Sequence, residues 1–365
     1  MSPLFNIWHS IQNTLFPWLE KELDPLTGKQ QEFVRVIELA EVQKHMGPYR
    51  WRGIGRKRDY RLAILKALVA KAVYNFPTTK MLIAYLHDST NLRRLCGWES
   101  KGDIPSESTF SRAFEEYSLG GLGQKIHEAM VKQHAGAKLA GHVSRDATAI
   151  EAREKPFRKE PKSPKSEPKR KRGRPRQGEI IAAKEPKRLD LQPGRNLAEN
   201  LADLPTRCDV GTKTNAKGYK ISWIGYKLHI DSIDGDIPVS AVLSSASLHD
   251  SQVAIPLAQM TAGRITSLYD LMDAAYDAPQ INAYSAELGH VPIIDTNPRR
   301  GEKKEMDPAQ AVRFRNRTTA ERVNSNLKDN YGGRFVLVRG AAKVMTHLMF
   351  GLIAITAAQL FRLLE

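Results

Sequence analysis

From about Lys138 onward the order of strand-like and helix-like runs constrains the fold more than any other feature. Three strand-like runs come in succession, at His142 to Thr148, Tyr219 to Ser232 and Ile237 to Ala246. Helical and strand patterns then alternate: a helix over Ser251 to Met260, a strand over Ser267 to Met272, a helix over Pro279 to Leu288 and a strand over Val291 to Thr296. Two helices close the chain, Pro308 to Asn330 and Ala341 to Leu364. Successive strands followed by helix–strand alternation imply an α/β unit with a mixed sheet flanked by helices. Residues 1 to about 135 read as mostly helical instead, with apolar residues at three- and four-residue spacing in Tyr60 to Phe76 and Met81 to Leu86.

The chain has 365 residues, 41% of them hydrophobic, enough for a sizeable core and two or three domains. Its formal charge of +16 points to a polyanionic partner, nucleic acid before an anionic membrane. Cys96 and Cys208 are the only cysteines and lack zinc-site spacing, which implies a reducing compartment and argues against structural zinc. No N-terminal stretch has the pattern of a secretory leader, so a protein that is neither secreted nor processed is expected. The apolar run Val344 to Phe361 is barely long enough to span a bilayer and contains Thr346, His347 and Gln359. A helix apolar nearly all round fits better buried against a sheet.

Charge concentrates between Arg153 and Asp190, where fifteen Lys or Arg face six Asp or Glu, a net of +9. Rich in proline and poor in large apolar residues, this segment cannot repay the entropy of ordering and is expected to be flexible. Its centre, Lys171-Arg172-Gly173-Arg174-Pro175-Arg176, resembles the AT-hook. That resemblance implies Arg172, Arg174 and Arg176 in a narrow, A·T-rich minor groove. A solvated basic linker touching phosphates without preference fits equally well.

A second notable stretch is Phe314 to Lys328. On a regular helix at about 100° per residue, Phe314, Arg317 and Lys328 fall within roughly 40° of Glu321. Arg317 and Glu321 also have the i,i+4 spacing of an ordinary surface ion pair, worth a few tenths of a kcal/mol. The spacing Phe-(2)-Arg-(3)-Glu-(6)-Lys resembles the Tyr-(2)-Arg-(3)-Glu-(6)-Lys signature of bacterial insertion-sequence transposases of the DDE class, with Phe314 lacking the Tyr hydroxyl. Upstream, Leu95-Cys96-Gly97-Trp98 and Ile104-Pro105-Ser106-Glu107-Ser108-Thr109-Phe110-Ser111-Arg112 resemble the N-terminal domain of the same group. A helix opening with Ser106, Ser108, Thr109 and Arg112 suits a helix-turn-helix reader of DNA, although Ser106 also suits a plain N-cap.

The resemblance implies a ribonuclease-H-like fold and three acidic residues in order. Asp146, in Val143-Ser144-Arg145-Asp146-Ala147-Thr148, resembles the first. Among Asp270, Asp273 and Asp277, only Asp273 fits the family's Asp-x-Gly-Tyr phrase, as Asp273-Ala274-Ala275-Tyr276 with Ala275 in the Gly position. Glu321 is the third. Such carboxylates hold two divalent cations, Mg²⁺ or Mn²⁺, about 4 Å apart, and hard oxygen ligands suit those ions. Arg317 and Lys328 would then take phosphate oxygens, and Phe314 would stack on a base or, the favoured reading, pack beneath the site. The phrases Gly225-Tyr226-Lys227-Leu228-His229 and Ser247-Leu248-His249-Asp250 also match the family, with Asp250 read as the cap of the Ser251 helix rather than as a catalytic group.

The expected organisation is a helical DNA-binding domain over 1–135, a catalytic domain over 136–152 and 207–365, and a basic flexible insertion over 153–206. The implied function is a transposase that cuts the ends of its element and joins them to target DNA, as a homodimer on double-stranded DNA, cytoplasmic and nucleoid-associated, with no membrane partner. A DNA-binding protein that has lost catalysis and a general nuclease of the same fold are the competing readings.

Overall fold

The structure, a computed structural model, describes residues 3–47, 60–158, 185–214, 217–297 and 305–364. Arg172, Arg174 and Arg176 lie outside the described residues. Six strands form one sheet: β1 Leu139–Glu151, β2 Asp209–Thr214, β3 Lys220–Ile233, β4 Ile237–Ser245, β5 Thr266–Met272 and β6 Val291–Ile294. The main order is β4-β3-β1-β5-β6, with β2 paired to the first part of β3. The β1–β3 and β3–β4 pairs are antiparallel, whereas β1–β5 and β5–β6 are parallel. This is the mixed α/β architecture of the ribonuclease-H-like fold, and five of the six strands fall where the sequence pattern puts them. The exception is β2, whose Asp-Val-Gly-Thr-Lys-Thr carries one large apolar residue and gives no buried-face alternation.

The register of β1 decides which side chains meet. Alternation along a strand sends His142, Ser144 and Asp146 to one face and Val143, Arg145 and Ala147 to the other. His142 pairs with Tyr269 and Ser144 with Leu271 across the parallel β1–β5 ladder. Continuing that register brings Asp273, one residue past the end of β5, beside Asp146 on the same face.

The expected continuous helix from Pro308 to Asn330 is interrupted. It consists of Pro308–Phe314, a 3₁₀ turn Arg315–Arg317 and a second helix Thr318–Asn330. Side chains take the carbonyls of the break: Thr318 Oγ1 donates to the Arg315 oxygen at 3.0 Å and Ser144 Oγ to the Asn316 oxygen at 3.0 Å. Competition of this kind favours local tightening over a regular ladder. The uniform angular spacing assumed for Phe314 therefore does not hold.

The helices before residue 135 include Gly28–Ala40, Arg61–Val73, Thr79–Asp88, Glu107–Leu119 and Leu122–His134. The first begins with a reciprocal cap, Thr27 Oγ1 accepting from Gln30 N and Gln30 Oε1 from Thr27 N. Ser106 occupies the N-cap position of Glu107–Leu119 without a side-chain capping bond; its hydroxyl instead meets those of Ser108 and Thr109 at 3.0 and 3.2 Å.

The C-terminal helix Ala341–Arg362 is the one described helix long and apolar enough to cross a membrane. It is buried among Gly28–Ala40, Arg61–Val73, Glu107–Leu119, Leu122–His134 and β4, so the helical region and the sheet share one hydrophobic core. It also supports the Thr318–Asn330 helix at close range. A Cβ added to Gly351 would lie 2.6 Å from Leu327 Cδ1 and 2.6 Å from the Tyr331 oxygen. Overpacking there pushes the Thr318–Asn330 helix off its seat. Gly351→Ala is expected to lower stability by about 1–3 kcal/mol, measured by urea unfolding; unchanged stability would mean the two helices can separate freely.

Candidate active site

The sheet face that carries Asp146 is covered by the Thr318–Asn330 helix. Asn324, 6% exposed, donates from Nδ2 to Asp146 Oδ2 at 2.9 Å. Asp273 caps the 3₁₀ turn Ala274–Tyr276, its Oδ1 accepting from Ala275 N at 2.9 Å. Ala275 has no positive φ, so the turn does without the family's Gly. Glu321, in the first turn of its helix, is half exposed and ion-paired with Arg317. The Arg317 guanidinium stands 5.8 Å from the Phe314 ring centroid, which keeps Phe314 beside the site as a packing surface.

These groups sense one another electrostatically. Burial, joined by the charges of Asp273 and Glu321, pushes the Asp146 carboxyl from its ordinary 3.8 up to about 6, with Arg317 pulling the other way. Asp273 is also raised, by burial and by its neighbours Asp250 and Asp295, again with Arg317 opposing. Arg317 is thus the cation shared by the acid cluster. Lys328 is placed differently: burial together with Lys213 and Arg334 lowers its pKa, and its acidic neighbours are Glu151 and Asp329. Seven residues beyond Glu321, it sits about 10 Å along the helix.

The other acids weighed for the second position are engaged elsewhere. Asp270 is buried on the opposite face, where its Oδ2 accepts from Ser285 Oγ at 2.5 Å and lies 3.2 Å from His290 Nδ1. Asp277 accepts from Asn297 N at 3.0 Å. The expectation that Asp250 caps the Ser251 helix is corrected: it makes no capping bond and pairs with Lys227 Nζ at 2.8 Å. Its backbone is already helical, so the carboxylate cannot turn back to the first N–H groups as an extended N-cap does. His249 is exposed and bonds Ser251. Arg112 lies on the exposed face of its helix, bonding the Ser108 oxygen and Thr109 Oγ1.

One contributor escaped the sequence reading, and another was read there only as a helix cap. Asn324 lies three residues after Glu321, on the same face of the helix, a spacing that a search of that face for hydrogen-bonding partners would have found. Asp250 acts on Asp273 through charge, which only the folded register reveals.

A pair of adjacent carboxylates whose pKa values stay raised despite the shared Arg317 is a hard-oxygen donor set that a divalent ion would relieve. Among the described residues no three His, Cys, Asp or Glu side chains converge on one point, and Glu321 is held by Arg317. Asp146 and Asp273 therefore fit such an ion as they stand, and Glu321 fits it once its ion pair opens.

The strand order is that of a ribonuclease-H-like fold, with the carboxylates of Asp146 on β1 and Asp273 just past β5 side by side. Residues 20–116 match the family model described as a transposase domain (DUF772), and residues 200–357 match that of the transposase DDE domain. The chain belongs to the insertion-sequence DDE transposases. The second match contains Asp273 and Glu321, whereas Asp146 lies before it and is located by the β1–β5 register. No curated protein and no solved structure matches the chain.

A folded-state pKa near 6 against 3.8 unfolded means the native state holds the extra proton between those values. Stability of the metal-free protein therefore falls as pH rises through that window. Asp146→Asn removes the charge while keeping an acceptor for Asn324. It is expected to raise stability at pH 8 by on the order of 2–3 kcal/mol, measured by chemical denaturation in a chelator. A loss of stability would show that the ionised carboxylate is not under strain.

Proposed function

We propose that the protein cuts the ends of its DNA element and joins the freed 3′ hydroxyls to target DNA, using Asp146, Asp273 and Glu321. The observation that carries this reading is the placement of Asp146 and Asp273 on one sheet face, with the carboxyl pKa of each raised. Two bound Mg²⁺ or Mn²⁺ ions would activate the attacking oxygen and offset charge on the leaving oxygen. Asp146 and Asp273 would hold them, with Asn324 fixing the Asp146 carboxylate so that Oδ1 stays available. Arg317 has two roles in sequence: it neutralises Glu321 in the resting protein, then releases it and forks onto a phosphate oxygen. Lys328 takes a phosphate further along the same helix as a point charge.

In this reading Arg112 and the hydroxyls of Ser106, Ser108 and Thr109 face duplex DNA. Arg172, Arg174 and Arg176 add contacts to its minor groove. Two ends must be joined, so a homodimer forms the synaptic complex.

The test uses the purified chain with a duplex carrying the element's terminal repeat. Mg²⁺-dependent nicking and joining are expected from the wild type. Asp146→Ala, Asp273→Ala and Glu321→Ala should each reduce both to background while end binding stays at the wild-type level. Wild-type protein that binds the ends and never cuts them would favour the purely DNA-binding reading, and cutting of DNA without ends would favour a general nuclease.

A further inference from the structure

The β2–β3 ribbon is a feature that neither the acid site nor the core requires. β3 pairs with β1 only from Gly225 to Ile233 and with β4 only from Tyr226 onward. Lys220–Trp223 pair with β2 alone, so the ribbon extends past the sheet. A free two-stranded ribbon is marginal in water. This one is pinned by Trp223, which lies across Gly211 so closely that a Cβ there would meet the indole at 2.4 Å, and whose Nε1 donates to the Tyr226 oxygen at 3.1 Å.

Its two faces differ. Pairing sets Val210 opposite Ile224, Thr212 opposite Ser222 and Thr214 opposite Lys220 on one face, and all six are exposed. Thr212 Oγ1 and Ser222 Oγ lie 2.9 Å apart across the strands. Val210 and Ile224 are each 43% exposed, costly for apolar side chains on a surface with no occupant. The other face carries Trp223, Gly211 and Lys213, with Lys213 near enough to Lys328 to lower its pKa. Lys217 and Lys220 flank the turn. Beside Lys328 the acids are Glu151 and Asp329, the latter paired with Arg334, and β2 itself begins with Asp209; Lys213, Lys217, Lys220, Lys328 and Arg334 outnumber these three.

We propose that this ribbon lies in the major groove of duplex DNA, its Thr212, Ser222 and Lys220 face against base edges, while Lys213 and Lys328 hold flanking phosphates. The inference rests on the transposase reading and adds to it a docking element outside the acid site. The B-DNA major groove, about 12 Å wide, admits a two-stranded ribbon, and hydroxyls with β-branched methyls suit base edges and thymine methyls. Lys328 joins the two regions. It shares a helix with Glu321 at about 10 Å, roughly three base-pair rises, so one duplex can touch the acids and the ribbon together.

The experiment measures binding of the full chain to a mixed-sequence duplex across a salt series. In Lys213→Gln the slope of log K against log salt should fall by about one, with roughly eight-fold weaker binding at 0.1 M salt. Thr212→Ala/Ser222→Ala should keep the slope and flatten preference among duplex sequences. A photo-crosslinker at Tyr219, 69% exposed, should capture DNA in chain shown to be folded by its melting curve. Unchanged slope and preference in the variants, or crosslinks only to a second copy of the chain, would overturn the ribbon assignment. Wild-type protein that bound no duplex would instead overturn the transposase reading itself.

Discussion

The site depends on an ion pair that takes no part in it. Arg145 and Asp231 face each other across β1 and β3, both almost fully buried, joined by two bonds of 2.8 and 2.7 Å, with Thr261 Oγ1 donating to the same carboxylate at 2.7 Å. Arg145 Nη1 also reaches Met272 Sδ on β5. A buried guanidinium fork has one good arrangement, and leaving either partner alone would cost about 3–5 kcal/mol. The pair therefore locks β1 against β3 and β5 at one register. Because strand side chains alternate, fixing Arg145 on the inner face fixes Asp146 on the outer one. A slip of one residue would bury the acid and expose the fork.

Asp270 extends that inner network through Ser285 and His290, which ties β5 to the helix Pro279–Glu287 and to the residue before β6. Three residues later the chain delivers Asp273 to the outer face. Glu321 comes from a different direction, on a helix seated against the buried C-terminal helix at Gly351. The acids thus come from separate elements, each held by packing behind it. This suits the proposed metal centre, in which clustered carboxylates would repel one another until a cation arrived.

Much of this was legible in the sequence. Strands with apolar alternation announced themselves, and the C-terminal helix read as buried because it is apolar on every side. Asp273 differed from Asp270 and Asp277 by its resemblance to the family's phrase, and the β1–β5 register puts it beside Asp146. The interrupted Pro308 to Asn330 helix was not legible, because carbonyls captured by Ser144 and Thr318 are a tertiary effect that helix periodicity cannot register. β2 was hidden for the opposite reason: one of its faces is exposed and the other offers Gly211 to the Trp223 indole, which leaves no hydrophobic period. Asp250 misled because the residue before a helix usually caps it, whereas here Lys227 from β3 offers a stronger partner.

The most direct test replaces Mg²⁺ by Fe²⁺ and maps backbone scission of the full chain by metal-generated hydroxyl radicals, with and without DNA. The account expects cuts clustered at three places far apart in sequence, around Asp146, Asp273 and Glu321, all suppressed by excess Mg²⁺, with the Glu321 cut strengthened by DNA as Arg317 turns to phosphate. Cuts at other acids, such as Asp234 and Asp236, with none near Asp146 and Asp273, would contradict it.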